Sequence, residues 1–380
     1  MKQSEENLIK VIIIDDSAFM RKSLTLMLES DKEICVIATA RDGNEGIDKI
    51  SKLKPDIVTL DIEMPGMDGL TALKIIMEQM PVPVLMVSSL TTESAQSTMQ
   101  AFDLGAVDFI SKDLASISTN IKNIKGELID KIKQIARSRL IQTRFRMRRL
   151  VQSSREGKRQ IKPAMRPVSF ERVASKLQAV VIGISTGGPE VLHKLIPQIP
   201  VHFPLGIAIV QHMPPHFTRS LADRLNNISK VYVKEAEHGE VFEPGKVMIA
   251  PGGRQMTFCN DGPYVLTKIS DEPINALYRP SVDIMIKSAV ATFNGPLLGV
   301  IMTGMGRDGV EGLKRIKSKG GYVIAQDEES CIVYGMPQAA LEEGVVDSMA
   351  SLENISLAFN QLTKLRMQTY YVPIGRGEGL

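Results

Sequence analysis

The chain has 380 residues, of which 43% are hydrophobic and 23% are charged, and its net charge is +3. This length and composition are typical of a globular protein with two or three domains. No apolar run approaches the roughly 18–20 residues of a membrane span, and the first ten residues lack the apolar core of a secretion signal, so we expect cytoplasmic residence. Cys35, Cys259 and Cys331 show no CxxC spacing, which argues against a disulfide framework or a zinc site.

The first third of the chain is predicted to form five β/α units. Between residues 10 and 115, short apolar stretches alternate with amphipathic stretches of helical period. The strand candidates are "KVIIID", "EICVIAT", "DIVTLD", "PVLMVSS" and "AVDFIS". Five such units in about 110 residues predict a doubly wound parallel sheet.

A strongly basic segment follows these units. Residues 121–170 contain 15 lysines and arginines against 3 acidic residues, so the basic character of the chain resides here. Apolar residues between Ile121 and Ile135 keep helical spacing. Residues 152–170 combine charge with prolines, and we predict a flexible linker there.

From residue 177 onward the alternation of strands and helices resumes, and it predicts a second doubly wound domain. Its strand candidates are "LQAVVIGI", "LGIAIVQH", "VMIA", "PLLGVIMT" and "YVIAQ". The fold class is therefore α/β, with two parallel-sheet domains. We place the boundaries at 8–118 for the first domain, 119–172 for the basic linker, 173–365 for the second domain and 366–380 for a tail.

Five polar residues fall at the carboxyl ends of strands predicted in the first domain: Asp15, Asp16, Asp61, Ser88 and Lys112. These strand ends form one edge of a doubly wound sheet, where ligands bind. Three carboxylates repel one another there unless a hard cation such as Mg²⁺ lies among them, and Asp61 can then accept a phosphoryl group. Ser88 and Lys112 would contact phosphoryl oxygens. The alternative, that each aspartate only caps the following helix, explains single positions better than all five.

The motifs "IIIDDS", "TLDIEMPGMDGL", "VSS" and "GAVDFISK" resemble the receiver domain of bacterial two-component response regulators over residues 8–118. The resemblance implies a flavodoxin-like fold that binds Mg²⁺ through the three aspartates. It also implies Asp61 as the phosphoacceptor, Ser88 as the switch hydroxyl and Lys112 as the partner of the phosphoryl group. Asp113 stands where this family commonly has proline.

The second domain begins with "VIGISTGGP", in which Ser185 follows a predicted strand and precedes Pro189, a favourable first residue of a helix. A strand–turn–helix of this kind exposes a side chain at the sheet edge and directs backbone N–H groups to the same place. It suits a bound phosphate, a nucleophilic serine or an ordinary turn. The stretch matches neither a Walker loop nor the G-x-G-x-x-G of a dinucleotide site.

A nucleophilic serine needs a base and a group that orients the base. His212 ends the buried strand "GIAIVQH", and Asp308 lies beyond another buried strand in "LLGVIMTGMGRDG". Both should reach the sheet edge that carries Ser185, although Arg307 could compete for the Asp308 carboxylate. The order Ser, His, Asp differs from the familiar hydrolase folds. The residues favour a serine hydrolase and leave open a ligand-binding α/β domain.

Six motifs of the second domain resemble the catalytic domain of chemotaxis protein-glutamate methylesterases from about residue 178 to 348: "GISTGGP", "QHMPPHFTRSLADRLN", "APGGRQM", "YRPSVDIMIKSA", "GVIMTGMGRDG" and "AQDEESCIVYGMPQAA". The resemblance implies a Rossmann-like hydrolytic domain in which the serine, histidine and aspartate named above form a catalytic triad. Thr186 and the backbone of Met305 would border the oxyanion, and the domain would need no cofactor. Gln255 stands where the family usually has histidine.

Together the two resemblances imply a phosphorylation-activated esterase of bacterial chemotaxis or a related pathway. It would hydrolyse glutamyl methyl esters on chemoreceptors to glutamate and methanol, and deamidation of receptor glutamines is adjacent chemistry. The implied partners are methyl-accepting chemotaxis receptors as substrates and a chemotaxis histidine kinase as phosphodonor. We expect a monomer that binds no nucleic acid and does not insert into a membrane.

Two other functions remain open at the level of sequence. In one, the output domain only binds, and nucleic acid contacts the basic segment through Arg144, Arg146, Arg148 and Arg149. A charge run is more often a solvated linker face. In the other, the loop 183–188 binds a phosphate or nucleotide substrate.

Overall fold

The computed structural model describes residues 8–112, 117–138 and 171–370, together with positions 141, 143 and 145. The chain divides into two compact units, and each is described by itself. Most of the predicted basic linker, Asp113 and the end of the predicted tail lie outside the described residues. Among the helices of the described residues, none is both long and apolar enough to cross a membrane.

The first unit contains one five-stranded parallel sheet. Its strands are β1 (Ile9–Ile14), β2 (Ile34–Ala40), β3 (Ile57–Asp61), β4 (Val84–Ser88) and β5 (Asp108–Ser111). Its helices are α1 (Ala18–Leu28), α2 (Gly43–Leu53), α3 (Gly69–Gln79), α4 (Thr92–Leu104) and α5 (Ile117–Arg137). The strand order β2-β1-β3-β4-β5 is the flavodoxin-like doubly wound order. The predicted fold class of this domain is confirmed.

Local sequence explains where these elements begin and which parts are buried. All of β1 except Lys10 is buried, as expected of a strand covered by helices on both faces. The first four helices each begin at a side chain that accepts a backbone N–H of the first turn; these caps are Ser17, Asp42, Asp68 and Thr91. In the register of β1 and β3, Ile14 lies opposite Leu60. The residues that follow these two strands therefore meet at one edge of the sheet.

The second unit contains a seven-stranded sheet and a separate hairpin. The strands of the sheet are β6 (Ala179–Ile184), β7 (Gly206–Gln211), β8 (Tyr232–Glu235), β9 (Lys246–Ile249), β12 (Leu298–Ile301), β13 (Tyr322–Gln326) and β14 (Ser348–Ala350). Strands β10 (Gln255–Asp261) and β11 (Tyr264–Ser270) form the antiparallel hairpin. The sheet is parallel throughout, in the order β14-β13-β12-β6-β7-β9-β8. The prediction of a second parallel sheet is confirmed.

The strand order of the second unit places a crevice at its centre. The helices of residues 171–370 are α6 (Glu171–Ala174), α7 (Gly188–Leu195), α8 (Phe217–Ile228), α9 (Val282–Thr292), α10 (Val310–Ser318), α11 (Met336–Glu342) and α12 (Leu352–Tyr370). Strand β6 has β7 on one side and β12 on the other, so the direction of winding reverses at β6. The carboxyl ends of neighbouring strands at such a switch point form the usual binding crevice of a doubly wound sheet.

Strand β8, the β10–β11 hairpin and β14 were not predicted from the sequence. Strand β8 (YVKE) lies at the edge of the sheet and β14 has only three residues, so neither has a continuous apolar run. The hairpin turns at Gly262, whose φ of 55° lies in the left-handed region that glycine tolerates. The preceding Asp261 completes an Asp-Gly pair, a hairpin signal that was available in the sequence.

Candidate catalytic and phosphorylation sites

In the first unit, the structure brings together the predicted acidic residues and the lysine. One ligand atom from each of Asp15, Asp16 and Asp61 lies within 4.8 Å of the other two. Asp15 and Asp61 are buried, whereas Asp16 is exposed. The Nζ of Lys112 lies 2.5 Å from Oδ2 of Asp61 and 3.0 Å from Oδ2 of Asp15. The three carboxylates therefore form one acidic pocket, and the ammonium group of Lys112 contacts two of them.

The electrostatics of the acidic pocket are those of crowded, buried carboxylates. Burial raises the pKa of Asp61 to about 6, and the Asp15 charge adds to this, while Lys112 opposes it. Burial alone would lower the pKa of Lys112, but the hydrogen bonds and charges of Asp61 and Asp15 outweigh it and raise that pKa. Three carboxylates and one lysine leave an excess of negative charge. The donor set fits a hard divalent cation such as Mg²⁺, which prefers oxygen ligands.

Ser88 closes β4 and is buried beside the acidic pocket's sheet edge. Its Oγ accepts a hydrogen bond from Thr98 Oγ1 at 3.0 Å and donates to the Ser94 carbonyl at 3.4 Å. Ser94 in turn donates to Glu63 Oε1 at 2.5 Å. The Ser88 hydroxyl is thus bonded to α4. Thr98 was missed by sequence analysis because it is one of several polar residues in an amphipathic helix.

In the second unit, Ser185, His212 and Asp308 each come after one of the three strands that border the central crevice. Ser185 follows β6, and its N–H donates to the carbonyl of Thr303, which lies just beyond β12, at 3.0 Å. His212 follows β7, and its N–H donates to the carbonyl of Ile184 at 3.1 Å. These backbone bonds tie the three strand ends together. The structure therefore places Ser185 and His212 at neighbouring strand ends beside the loop that leads from β12 to Asp308.

Asp308 and His212 form a direct contact at this rim. Nε2 of His212 lies 2.8 Å from Oδ2 of Asp308. The imidazole is 12% exposed and the carboxylate 3% exposed, so the pair is shielded from water. With Nε2–H donating to the carboxylate, Nδ1 is the ring nitrogen left to act as a base.

Asp308 lies against the first turn of α9 and accepts hydrogen bonds there as well. Its Oδ1 accepts from Ser281 Oγ at 2.9 Å and from the N–H of Asp283 at 3.0 Å, and its Oδ2 accepts from the N–H of Val282 at 2.7 Å. Burial raises the pKa of Asp308, but His212 and the backbone donors outweigh it and lower that pKa. Asp308 is therefore an ionised, fixed acceptor for the imidazole.

The neighbourhood of Ser185 is tightly packed on the side of β12. A Cβ at Gly304 would lie 2.7 Å from the Ser185 Cβ, so only glycine fits there. The carbonyl of Gly304 accepts from the N–H of Met336 at 2.8 Å, which fixes the loop that continues into Met305. Thr186 is buried, and its carbonyl accepts from Thr303 Oγ1 at 2.9 Å. The backbone around Ser185 is thus held rigidly, as a preorganised site requires.

Two residues near the pair were not assigned a role from sequence. The ring of Tyr278 stacks on the His212 ring, with centroids 4.5 Å apart and an interplanar angle of 1°. Gln255 is fully buried, and its side-chain amide bonds the backbone on both sides of residues 279–280. Arg307, a predicted competitor for Asp308, donates instead to Glu343 Oε2 at 2.9 Å. A stack between residues 66 positions apart has no sequence signal.

Comparison with known proteins agrees with the two units. A family model described as "CheB methylesterase" matches residues 180–359, and one described as "Response regulator receiver domain" matches residues 11–122. Curated relatives named protein-glutamate methylesterase/protein-glutamine glutaminase cover almost the whole chain. The relative numbered 1 from Oleidesulfovibrio alaskensis is 46% identical over 92% of this chain and 98% of its own length. Those from Lawsonia intracellularis and Pyrococcus horikoshii are 45% and 47% identical over 91% of this chain and 97% and 91% of their own lengths. Both resemblances stated from the sequence motifs are confirmed.

Proposed function

Because this chain belongs to the family of CheB methylesterases with a receiver domain, we propose that it hydrolyses protein glutamyl methyl esters through Ser185, His212 and Asp308. The observation that supports this most directly is the shielded His212–Asp308 pair on the strand ends next to Ser185. A serine on a strand–turn–helix, with an oriented imidazole at the end of the neighbouring strand, suits nucleophilic acyl transfer.

In the proposed reaction, Nδ1 of His212 accepts the hydroxyl proton as Ser185 Oγ attacks the ester carbonyl. The tetrahedral intermediate collapses to an acyl-enzyme and methanol, with His212 returning the proton to the methoxide. Water then attacks the acyl-enzyme with His212 as base, and His212 returns the proton to Ser185 Oγ as the bond to the glutamate side chain breaks. Asp308 remains ionised throughout because its lowered pKa and four hydrogen-bond donors favour the carboxylate. It stabilises the imidazolium that forms at each attack.

Thr186 and the backbone of Met305 are proposed to border the oxyanion. Both adjoin the backbone that is fixed between β6 and β12. Preorganised donors at such a position contribute about 3–4 kcal/mol to the stabilisation of an oxyanion. Because glutamine differs from the ester only in its leaving group, the same residues would also support deamidation of protein glutamines, in keeping with the double name of the relatives.

The acidic pocket of the receiver is proposed to be the site of phosphorylation, with Asp61 as acceptor. Asp15, Asp16 and Asp61 would hold Mg²⁺, which supplies charge neutralisation for the incoming phosphoryl group. Lys112, already within 2.5 Å of Asp61, would neutralise a phosphoryl oxygen. Ser88 would exchange its bonds to α4 for a bond to the phosphoryl group, and so report phosphorylation to that helix.

The proposed partners follow from the two activities. Chemoreceptors that carry methylated glutamates would be the substrates, and a chemotaxis histidine kinase would supply the phosphoryl group. Reaction with a cytoplasmic kinase and the cytoplasmic segments of receptors would place the enzyme in the cytoplasm, where we expect a monomer that needs no nucleic acid. We expect the receiver to restrain the esterase until it is phosphorylated, so that removing residues 1–150 raises basal activity.

The first test is methanol release from methyl-esterified chemoreceptor cytoplasmic fragments, with and without Mg²⁺ and a small-molecule phosphodonor. Ser185→Ala should lower the rate by about 10⁴–10⁶-fold if the three residues act as a unit. Ser318→Ala, at the exposed end of α10, serves as a matched control and should leave the rate near that of the wild type. Retention of activity in Ser185→Ala would refute the proposed nucleophile.

A further inference from the structure

The segment from Tyr278 to Ser281 contacts both partners of Ser185, and one buried amide bonds it on both sides of Arg279, whose carbonyl accepts from the Gly253 N–H at 3.1 Å. At one end, the Tyr278 ring stacks on the His212 imidazole with centroids 4.5 Å apart. At the other end, Ser281 Oγ donates to Oδ1 of Asp308 at 2.9 Å. Nε2 of Gln255 donates to the Tyr278 carbonyl at 2.8 Å, and Oε1 of Gln255 accepts from the Ser281 N–H at 2.9 Å.

We propose that Gln255 is a positioning residue of the esterase site, which acts through Tyr278 on His212 and through Ser281 on Asp308. A primary amide offers a donor and an acceptor on one rigid plane. Gln255 therefore fixes two backbone groups three residues apart with a single side chain. If the segment shifts, the Tyr278 ring that stacks on the imidazole and the Ser281 hydroxyl that donates to the carboxylate move together. This inference rests on the proposed roles of His212 and Asp308.

The anchorage of Gln255 supports a positioning role. Its side chain is fully buried and it opens β10, where it pairs with Ser270 of β11. The N–H of Phe258, three residues along β10, donates to Ser288 Oγ in α9 at 2.8 Å. The amide is thus carried by a paired strand that is fixed to the helix whose first turn binds Asp308. Buried amides of this kind are costly to leave half-bonded, so the two bonds to the segment define one position for it.

Tyr278 gives the imidazole a flat support over its whole face. The interplanar angle of 1° means that the two rings stack in parallel. Burial, with a smaller contribution from the Asp308 charge, raises the pKa of the phenol, so Tyr278 is a neutral ring at working pH. Its hydroxyl projects toward Gly306, where an added Cβ would lie 2.9 Å from that oxygen. The aromatic face, rather than the hydroxyl, is the part that contacts the imidazole.

The test uses substitutions that separate hydrogen bonding from shape. Gln255→Met preserves side-chain length and removes both hydrogen bonds. Gln255→His restores one donor and one acceptor when the imidazole is neutral, and loses the acceptor when it is protonated. Thr267→Val is the matched control, because Thr267 is also fully buried and its Oγ1 donates to the Glu237 carbonyl at 2.6 Å, within the hairpin region rather than the segment.

Methanol release by the full-length variants is measured together with their melting temperatures. We expect Gln255→Met to lower kcat by about 10–100-fold with little change in KM, since misplacement of catalytic groups by about 1 Å has effects of this size. Gln255→His should regain most of that loss at alkaline pH and less at acidic pH. Thr267→Val should lower the melting temperature by a similar amount and keep kcat. Equal kcat for Gln255→Met and wild type would overturn the proposal. A fall in kcat in Thr267→Val as large as that in Gln255→Met would also overturn it, because the loss would then follow from destabilisation alone.

A second readout does not depend on turnover. ¹⁵N-histidine NMR of the full chain reports which ring nitrogen of His212 carries the proton, with His212→Gln used to assign its signals. We expect one tautomer, protonated at Nε2, in the wild type and in Tyr278→Phe, and a mixture of tautomers in Gln255→Met and Tyr278→Leu. An unchanged tautomer in Gln255→Met would contradict the positioning role. The activity of Ser185→Ala tests the proposed function separately from the role of Gln255. Activity that persists in Ser185→Ala would refute the proposed nucleophile, whereas the tautomer result tests only the role of Gln255.

Discussion

The two sites of this protein use the same edge of the same kind of sheet with opposite electrostatics. In the acidic pocket, three carboxylates crowd around one lysine, and burial raises the pKa of Asp61 to about 6. In the esterase site, one carboxylate meets four donors, and the pKa of Asp308 is lowered. The site proposed to receive a cation and a phosphoryl group keeps uncompensated charge, whereas the site proposed to orient an imidazole compensates its carboxylate with hydrogen-bond donors of the protein.

The largest expected difference concerns the compensated carboxylate. Asp308→Asn keeps the shape of the side chain but removes the charge and turns a donor toward one of its partners. We expect kcat for methanol release to fall on the order of 10⁴-fold, because the imidazole would lose its tautomer and the support of its positive charge. Activity within tenfold of the wild type would show that Asp308 does not orient His212.

The corresponding change in the acidic pocket should act on regulation alone. Asp61→Asn removes the proposed phosphoacceptor, so the rate with Mg²⁺ and phosphodonor should stay at the basal level of the wild type. Couplings of about 1–3 kcal/mol are usual for such regulation, so the activation lost should be between about fivefold and 150-fold. Activation by phosphodonor that persists in Asp61→Asn would place phosphorylation elsewhere.

The uncompensated charge should also be visible in stability against pH. A carboxyl whose pKa rises from 3.8 unfolded to about 6 folded binds more protons in the folded state between these values. The free energy of unfolding of the receiver should therefore fall by up to about 3 kcal/mol as the pH rises through this window without divalent cations. Urea denaturation of the wild type and Asp61→Asn measures this. The fall should be smaller in the variant, and equal slopes would contradict a raised pKa.

The smallest effect is expected at the border of the esterase site. Arg307 adjoins Asp308 in sequence, but it pairs with Glu343 and its side chain is 63% exposed. Exposed ion pairs contribute about 0–1 kcal/mol. Arg307→Ala should change kcat/KM by less than about twofold, whereas a loss beyond tenfold would mean that the guanidinium contacts the substrate.

Most of the fold and the candidate site could be predicted because the signals were local. Apolar runs such as "VIIID" and "GIAIVQ" predicted the strands, and amphipathic stretches of helical period predicted the helices between them. Ser185 and His212 were found because each directly follows an apolar strand, and Asp308 because it lies in the glycine-rich loop after another. The β10–β11 hairpin was missed since its strands mix polar and apolar residues.

The sequence by itself determined the α/β class and the family. It also determined that one sheet edge carries the aspartates and that the other carries Ser185. It could do so because strand ends in a parallel sheet converge whatever connects them. Only the tertiary structure decided that Arg307 turns to Glu343, that Tyr278 stacks on His212 and that Gln255 bonds both ends of the segment beside it. These contacts join residues that lie 23 to 66 positions apart. Their partners are selected by packing and by the need to satisfy buried polar groups, which no local pattern of residues records.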